Sequence, residues 1–234
     1  MVTIATKMKL SRRLDLIASM VPSNVPCADI GSDHGLLVNY LLDTNKVPFC
    51  YASDNKEGPY NRLKANLNKY ISLDKVQVNL KDGIDGLDTD IYKTIIITGM
   101  GGDLICQILK DHEDIYKKSE YLLLGPHNNE KLLRRYLSEN GYEIVDENVI
   151  FDIHYYEVIL FKKASKTIKY SDFECEYGPV LTQKKQPALK DKYLYIIHSN
   201  NEIINNYNLS EKRRLQLEGF NKKHQAMIDK LFKN

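Results

Sequence analysis

Apolar positions along the first two thirds of the chain switch repeatedly between two spacings. Leu10, Leu14, Ile17, Ala18 and Val21 fall on one face at helical spacing, which predicts an amphipathic opening helix. Short β-rich runs then follow at Val25–Ile30, Phe49–Ser53, Val76–Leu80, Thr94–Thr98 and Tyr121–Leu124. Helix-period stretches lie among them at Leu36–Leu42, Tyr60–Tyr70, Leu104–Leu109 and Leu132–Leu137. This alternation predicts a parallel sheet covered by helices on both faces. Tyr142–Ile150 and Tyr155–Phe161 are adjacent strand-like runs with no helix between them, so they should pair antiparallel. Beyond Gly178-Pro179 the pattern changes to a 3-4 seam of Leu189, Tyr193, Ile196, Ile203 and Tyr207, with Asn200 in the gap. A second seam follows at Leu217, Phe220, His224, Met227 and Leu231, so a coiled-coil-like helical hairpin is expected to turn near Asn208–Ser210.

Composition narrows the class. With 234 residues, 43% of them hydrophobic, the chain can build one full core plus an appendage. The expected division is 1–163 for the sheet domain and 164–234 for a basic helical hairpin. A net charge of +2 conceals an asymmetry: 18 Lys and Arg against 23 Asp and Glu up to Phe161, then 15 against 8. A +7 appendage on a −5 body suits a polyanionic partner, although a solvated charged helix pair has the same composition. No apolar run approaches ~18 residues. The opening MVTIATKMKLSRRLD lacks the apolar core of a secretory signal, so a cytoplasmic protein with no membrane partner is expected. Cys27, Cys50, Cys106 and Cys175 form no C-x-x-C pair and read as reduced core thiols, with no metal site expected.

The segment ADIGSDHG (Ala28–Gly35) closes the first predicted strand and opens the next helix, where open α/β sheets bind nucleotides. Counted from Gly31, a G-x-G-x-x-G dinucleotide fingerprint would need glycines where Asp33 and Leu36 stand. A carboxylate at Asp33 opposes a pyrophosphate, whereas S-adenosylmethionine has no phosphate and carries a sulfonium and an ammonium. Asp29 and Asp33 therefore favour a cationic ligand, the competing role for Asp33 being a helix cap. Ser32, His34 and Gly35 complete the loop, His34 reading first as a helix-start residue.

Asp54 ends the second strand, where an acid accepts hydrogen bonds from both hydroxyls of a ribose, or serves as a turn residue; Asn55 follows it. Asp82-Gly83 closes the third strand, near the reach of an adenine ring or as an ordinary turn. The fourth strand leads into TGMGGDL, where Gly99, Met100, Gly101 and Gly102 offer bare backbone and room beside a ligand. GPHNN (Gly125–Asn129) ends the fifth strand, placing His127 and Asn128 at the same cleft or in the start of a helix.

Together KLSRRL (Lys9–Leu14), ADIGSDHG, ASDNKEGP (Ala52–Pro59), TGMGG, LLLGPHN, YYEVIL (Tyr155–Leu160) and YGPVL (Tyr177–Leu181) resemble the TrmK family, bacterial tRNA (adenine-N1)-methyltransferases acting at tRNA position 22. The resemblance runs in order over nearly the whole chain. It departs from the family's pattern at DHGLLV and at Gly125-Pro126-His127. It implies a class I S-adenosylmethionine-dependent methyltransferase sheet, Rossmann-like with an antiparallel edge hairpin, plus a C-terminal coiled-coil-like domain. It also implies S-adenosylmethionine as donor and tRNA as acceptor, with no obligate protein partner evident. The basic cluster Lys7, Lys9, Arg12 and Arg13, a solvated face by itself, gains a candidate in Arg13 for the donor carboxylate or an RNA phosphate.

This chemistry asks for positioning rather than a base, because N1 of neutral adenine has a free lone pair. Positive charge moves onto the adenine during transfer, and Asp33, then Asp29, are the carboxylates expected to stabilise it or to accept from the exocyclic amine, the alternative being that either only holds the donor. Lys184, Lys185, Arg213 and Arg214 are expected on the outer faces of the hairpin for phosphate contact, along with Lys190, Lys192, Lys222 and Lys223. A metabolite methyltransferase, an NAD-linked oxidoreductase and a noncatalytic RNA-binding module are the competing functions.

Overall fold

The structure, a computed structural model, describes residues 9–233. Lys7 of the basic cluster lies outside the described residues. Two compact units divide after Gly178.

The first unit opens with α1 (Arg12–Met20), whose N-cap Ser11 accepts a hydrogen bond from the Leu14 amide. The sheet follows as β1 (Cys27–Ile30), β2 (Cys50–Asp54), β3 (Val76–Leu80), β4 (Thr94–Met100), β5 (Tyr121–Pro126), β6 (Tyr142–Asp152) and β7 (His154–Lys163). Helices α2 (Leu36–Asp43), α3 (Glu57–Asn66) and α4 (Asn68–Ile71) lie among the first three strands. Helices α5 (Gly102–Asp111), α6 (Glu113–Tyr116) and α7 (Glu130–Glu139) lie among the rest. All seven expected strands are present, in the spatial order β3-β2-β1-β4-β5-β7-β6. The first five strands are parallel, and β7 runs antiparallel to both β5 and β6.

Central strands are buried on both faces, as a doubly covered sheet requires. Cys27, Cys50, Ala52, Ile96, Leu123 and Val158 form one core with Ile17 of α1, Leu41 of α2 and Leu63 of α3. By the period of two, the buried Ile95, Ile97, Leu122 and Leu124 take the opposite face, where α5 packs on β4. The single helix expected over Tyr60–Tyr70 is broken at Leu67, which is fully buried; there the Tyr70 amide bonds to the Leu67 carbonyl in a tightened i→i+3 turn. All four cysteines are buried free thiols.

The first unit runs on past Lys163, where the sequence suggested a boundary. Its last helix, α8 (Asp172–Tyr177), begins with a capping box between Ser171 and Glu174 and packs on α7. A buried charge cluster ties this segment down. Arg134 of α7, wholly enclosed, donates from Nε to Glu147 of β6 (2.6 Å), from a terminal nitrogen to Glu157 of β7, and from the other to the Cys175 carbonyl (3.1 Å). Gly178 (φ 80°) closes over the cluster; a Cβ there would stand 2.7 Å from a Glu147 oxygen. The YGP motif at this point thus has a packing reason.

The second unit consists of α9 (Pro179–Lys184), α10 (Pro187–Asn206) and α11 (Glu211–Phe232). The turn falls at 207–210, as expected. The seam is partly different from the one read in sequence. Leu189, Tyr193, Ile204, Leu217, His224, Met227 and Ile228 are buried, while Ile203, Phe220 and Tyr207 are exposed. Tyr207 lies past the end of α10 in extended backbone, so the helical period no longer applies to it. The polar members pair: Asn200 donates to Asn221, Asn221 donates to Asn201 (2.8 Å each), and the Tyr193 and His224 rings lie 4.6 Å apart. Lys192, expected on an outer face, is buried, its ammonium 5.6 Å from the Tyr193 ring centre. Among the described residues no helix is long and apolar enough to cross a membrane.

Candidate donor cleft and its rim

The strand order reverses between β1 and β4: the chain leaves β1 toward β2 and β3 on one side and returns to β4 on the other. Their C-terminal ends diverge there and leave a crevice. A cleft of about 230 Å³ occupies it, lined by Arg13, Asp29, Gly31, Ser32, Asp33, His34, Thr98 and Gly99. Loop, strand end and opening helix therefore meet in one place.

Backbone geometry explains the loop. The amides of Gly31 and Ser32 both donate to the Ser53 carbonyl (2.9 Å each), pinning the turn against the end of β2. Gly31 has φ 73°, and a Cβ there would stand 2.5 Å from Cε of Met100. Gly35 is the left-handed N-cap of α2 and sits tight against Leu63, so its glycine serves helix packing. No side chain caps α2, which leaves Asp33 without the capping role. Gly99 (φ 79°) has nothing within 4 Å of a built Cβ and leaves the cleft open. Gly102 does not: its Cβ would meet the Asn128 carbonyl at 2.4 Å, so this glycine answers to the loop packed beside it.

The two loop carboxylates differ sharply. Asp29 is 4% exposed, and the Ser32 hydroxyl donates to its carboxylate at 2.6 Å. Burial pushes its pKa up to about 6, partly countered by that hydrogen bond. The Asp33 side chain is 60% exposed, with His34 at 3.5 Å and Arg62 of α3 at 3.6 Å. Arg62 carries no signal in the sequence that would associate it with the loop.

The remaining candidates extend the rim along the strand ends. Asp54 accepts the Lys56 amide at 3.1 Å on one oxygen, an Asx turn that leads into α3. Asn55 donates to Asp82 (3.1 Å), and the Lys81 amide bonds to the Asp54 carbonyl, so the ends of β2 and β3 are joined. Gly83 turns with φ 55° against Ile108. None of these four residues lines the cleft itself, nor do Met100 and Gly101. Across the cleft, the His127 amide bonds to the Met100 carbonyl, while Asn128 accepts the Gly102 amide (3.1 Å) at the start of α5. Asn128 thus caps α5, not the α7 that follows it in sequence.

Arg13 is the residue the sequence underweighted. Its guanidinium lies 5.0 Å from the Tyr156 ring centre and 3.4 Å from His127 Nε2, and its amide donates to Asp152 (3.1 Å). Burial and the charge of Arg13 pull the His127 pKa down, favouring the neutral ring. Lys9 and Arg12 are exposed beside it, at the start of α1. In the second unit Lys184, Lys185, Arg213 and Arg214 are all exposed.

The model of the methyltransferase domain matches residues 10–159, which hold the whole sheet except the end of β7 and every residue that lines the cleft. The chain belongs to this methyltransferase-domain family. Over 192 residues it is 29% identical to the Bacillus subtilis tRNA (adenine(22)-N(1))-methyltransferase, covering 80% of this chain and 81% of that one. The methyltransferase fold extends to solved relatives. The structure of Mycoplasma capricolum TrmK with the cofactor product S-adenosyl-homocysteine superposes with a TM-score of 0.82 at 26% identity, over 96% of this chain and 100% of that one. A Streptococcus pneumoniae protein described as a candidate m1A22 tRNA methyltransferase, in complex with S-adenosyl-L-methionine, gives 0.84 at 27% identity over 94% and 100%.

Proposed function

We propose that this methyltransferase transfers a methyl group from S-adenosylmethionine to N1 of adenine 22 in tRNA, in the cytoplasm. The observation that carries the reading is the cleft at the β1–β4 reversal, which pairs a buried carboxylate with an exposed one where a dinucleotide enzyme presents bare glycines. Relatives matched over most of their length bear the name of this activity, and one solved relative holds the demethylated product.

The residues present fit the donor. Its sulfonium supplies an activated methyl, and its ammonium and sulfonium both suit a carboxylate-lined site. Asp29, buried at the floor, accepts from the ammonium; Gly31, Ser32, His34 and Gly35 shape the turn that holds it. Asp54 and Asn55 take the ribose hydroxyls, Asp82 and Gly83 border the adenine, and Gly99, Met100 and Gly101 leave room on the methyl side. Asp33 stands on the open side with a largely solvated carboxylate, placed to meet the positive charge that develops on the acceptor ring. Asp29 is the second carboxylate for that task. No group has to remove a proton from N1, so alignment of acceptor and methyl dominates.

Lys9, Arg12, Arg13, His127 and Asn128 form the acceptor side in this reading, and Lys184, Lys185, Arg213 and Arg214 contact tRNA phosphates. The test is incubation with labelled donor and unmodified tRNA, followed by identification and mapping of the modified nucleoside. N1-methyladenosine at position 22 is expected. Methylation of small metabolites alone, or modification of another nucleoside, refutes the assignment. In the same assay Asp33→Asn should slow single turnover with both ligands saturating; a loss that saturation abolishes reduces Asp33 to a binding residue.

A further inference from the structure

The tip of the β6–β7 hairpin breaks two rules at once. Ile153 is 80% exposed, and it is a β-branched residue with φ 68°, in the left-handed region that such side chains avoid. Beside it Phe151 is also exposed and pairs across the hairpin with Tyr155, ring centres 5.0 Å apart. A glycine or asparagine would satisfy this turn, and a polar residue would satisfy this exposure. An apolar side chain held outward on strained backbone is therefore a feature in need of a partner.

Its surroundings say which one. Asp152, the residue before the tip, is bonded to the amide of Arg13, which lines the donor cleft. Tyr156, three residues after it, lies beneath the Arg13 guanidinium, with the His154 ring 6.4 Å and the His127 ring 5.7 Å away. The apolar tip is thus continuous with the rim of the site where methyl transfer is placed. Lys9 and Arg12 stand exposed at the start of α1, the helix that packs on β6, and can pair with phosphates next to the tip.

From this placement we propose that the Phe151–Ile153 tip is a wedge for structured RNA. It inserts into the stack that the target adenine leaves, while Arg13, over the Tyr156 ring, borders the opening through which the base reaches the donor. The proposal rests on the tRNA methyltransferase reading given above and adds how the base is extracted. N1 of a stacked or paired adenine is out of reach, so the base must leave its stack, and apolar side chains between bases are a recognised way to hold the gap open.

The test uses the full chain and the Ile153→Gly variant. Glycine suits φ 68°, so the variant should fold with an unchanged or raised melting temperature. Binding of S-adenosylhomocysteine, measured by calorimetry, should match wild type, because the tip does not line the cleft. With tRNA, kcat/KM should fall about tenfold or more, with Ile153→Leu restoring most of it, since apolar bulk is what the wedge supplies. tRNA carrying 2-aminopurine at the target position should brighten on binding wild type and not on binding Ile153→Gly, reporting failed extrusion in a bound complex. Wild-type kcat/KM and fluorescence in Ile153→Gly overturn the wedge alone. A wild type that leaves tRNA unmethylated overturns the underlying reading and the wedge with it. Light scattering that shows a wild-type dimer and an Ile153→Gly monomer also overturns it, and makes the tip a contact between copies.

Discussion

Acidifying the solution should weaken donor binding through one residue, Asp29. Burial raises its ordinary carboxylate value near 4 to about 6, which makes its ionised form about 3 kcal/mol more costly in the free fold than in the unfolded chain. A cation placed against the carboxylate recovers part of that cost. Binding should therefore demand the ionised form and take up its pH dependence. At pH 7.5 Asp29 is almost wholly ionised in the free protein; at pH 5 only about a tenth is, so affinity should drop roughly tenfold between them. Stability follows the opposite sense. The folded pKa lies above the unfolded one, so the contribution of this group is fully present below about pH 4 and is lost as the pH rises through about 6. Calorimetric titration with S-adenosylhomocysteine from pH 5 to 7.5 reads the first effect, and Asp29→Asn isolates it. Removing the Ser32 hydroxyl, which holds the pKa down, should move the midpoint upward in Ser32→Ala. Affinity that is level across this range, or a slope that survives in Asp29→Asn, refutes the reasoning.

Asp54→Ala should weaken binding of the donor product by about 1–3 kcal/mol, read by calorimetry in a variant whose melting curve shows that loss of the Asx turn is tolerated. A chain ending at Gly178, the end of the first compact unit, should keep donor binding and lose tRNA affinity in filter binding, together with part of the salt dependence of log affinity, at about 0.7–0.9 per lost phosphate contact. Equal affinity and slope in a folded truncation would remove the second unit from RNA binding. Arg134→Met should lower stability to urea by about 3–5 kcal/mol, because it strands two buried carboxylates, and equilibrium unfolding measures it.

The elements of the sheet were legible in the chain because each buries a stripe of fixed period. Strands buried on both faces read as runs such as Ile95–Ile97 and Leu122–Leu124, and α1 and the paired helices read at helical spacing. Both loop carboxylates and the missing fingerprint glycines were legible for a related reason: Gly31, Ser32 and Asp33 are consecutive in sequence, so their chemistry is local. What tertiary structure decided was every relation between distant residues. Periodicity fixes which face of a helix is apolar but not which partner covers it, so the seam of α10 closed on Ile204 while Ile203 stayed exposed, and Lys192 lay buried beside Tyr193. Glycines in one motif parted for the same reason, Gly99 meeting open space and Gly102 the backbone of Asn128. Arg62 reached Asp33, Asn128 capped α5 rather than α7, and Arg134 drew Glu147, Glu157 and Cys175 into one buried cluster. Arg13 came to the cleft across more than a hundred residues from His127 and Tyr156, because the returning hairpin places β7 against β5 and brings its tip to α1. Burial raised the pKa of Asp29, while Asp33 four residues on kept its carboxylate largely in solvent, and burial is a property of the packed fold, not of the residue.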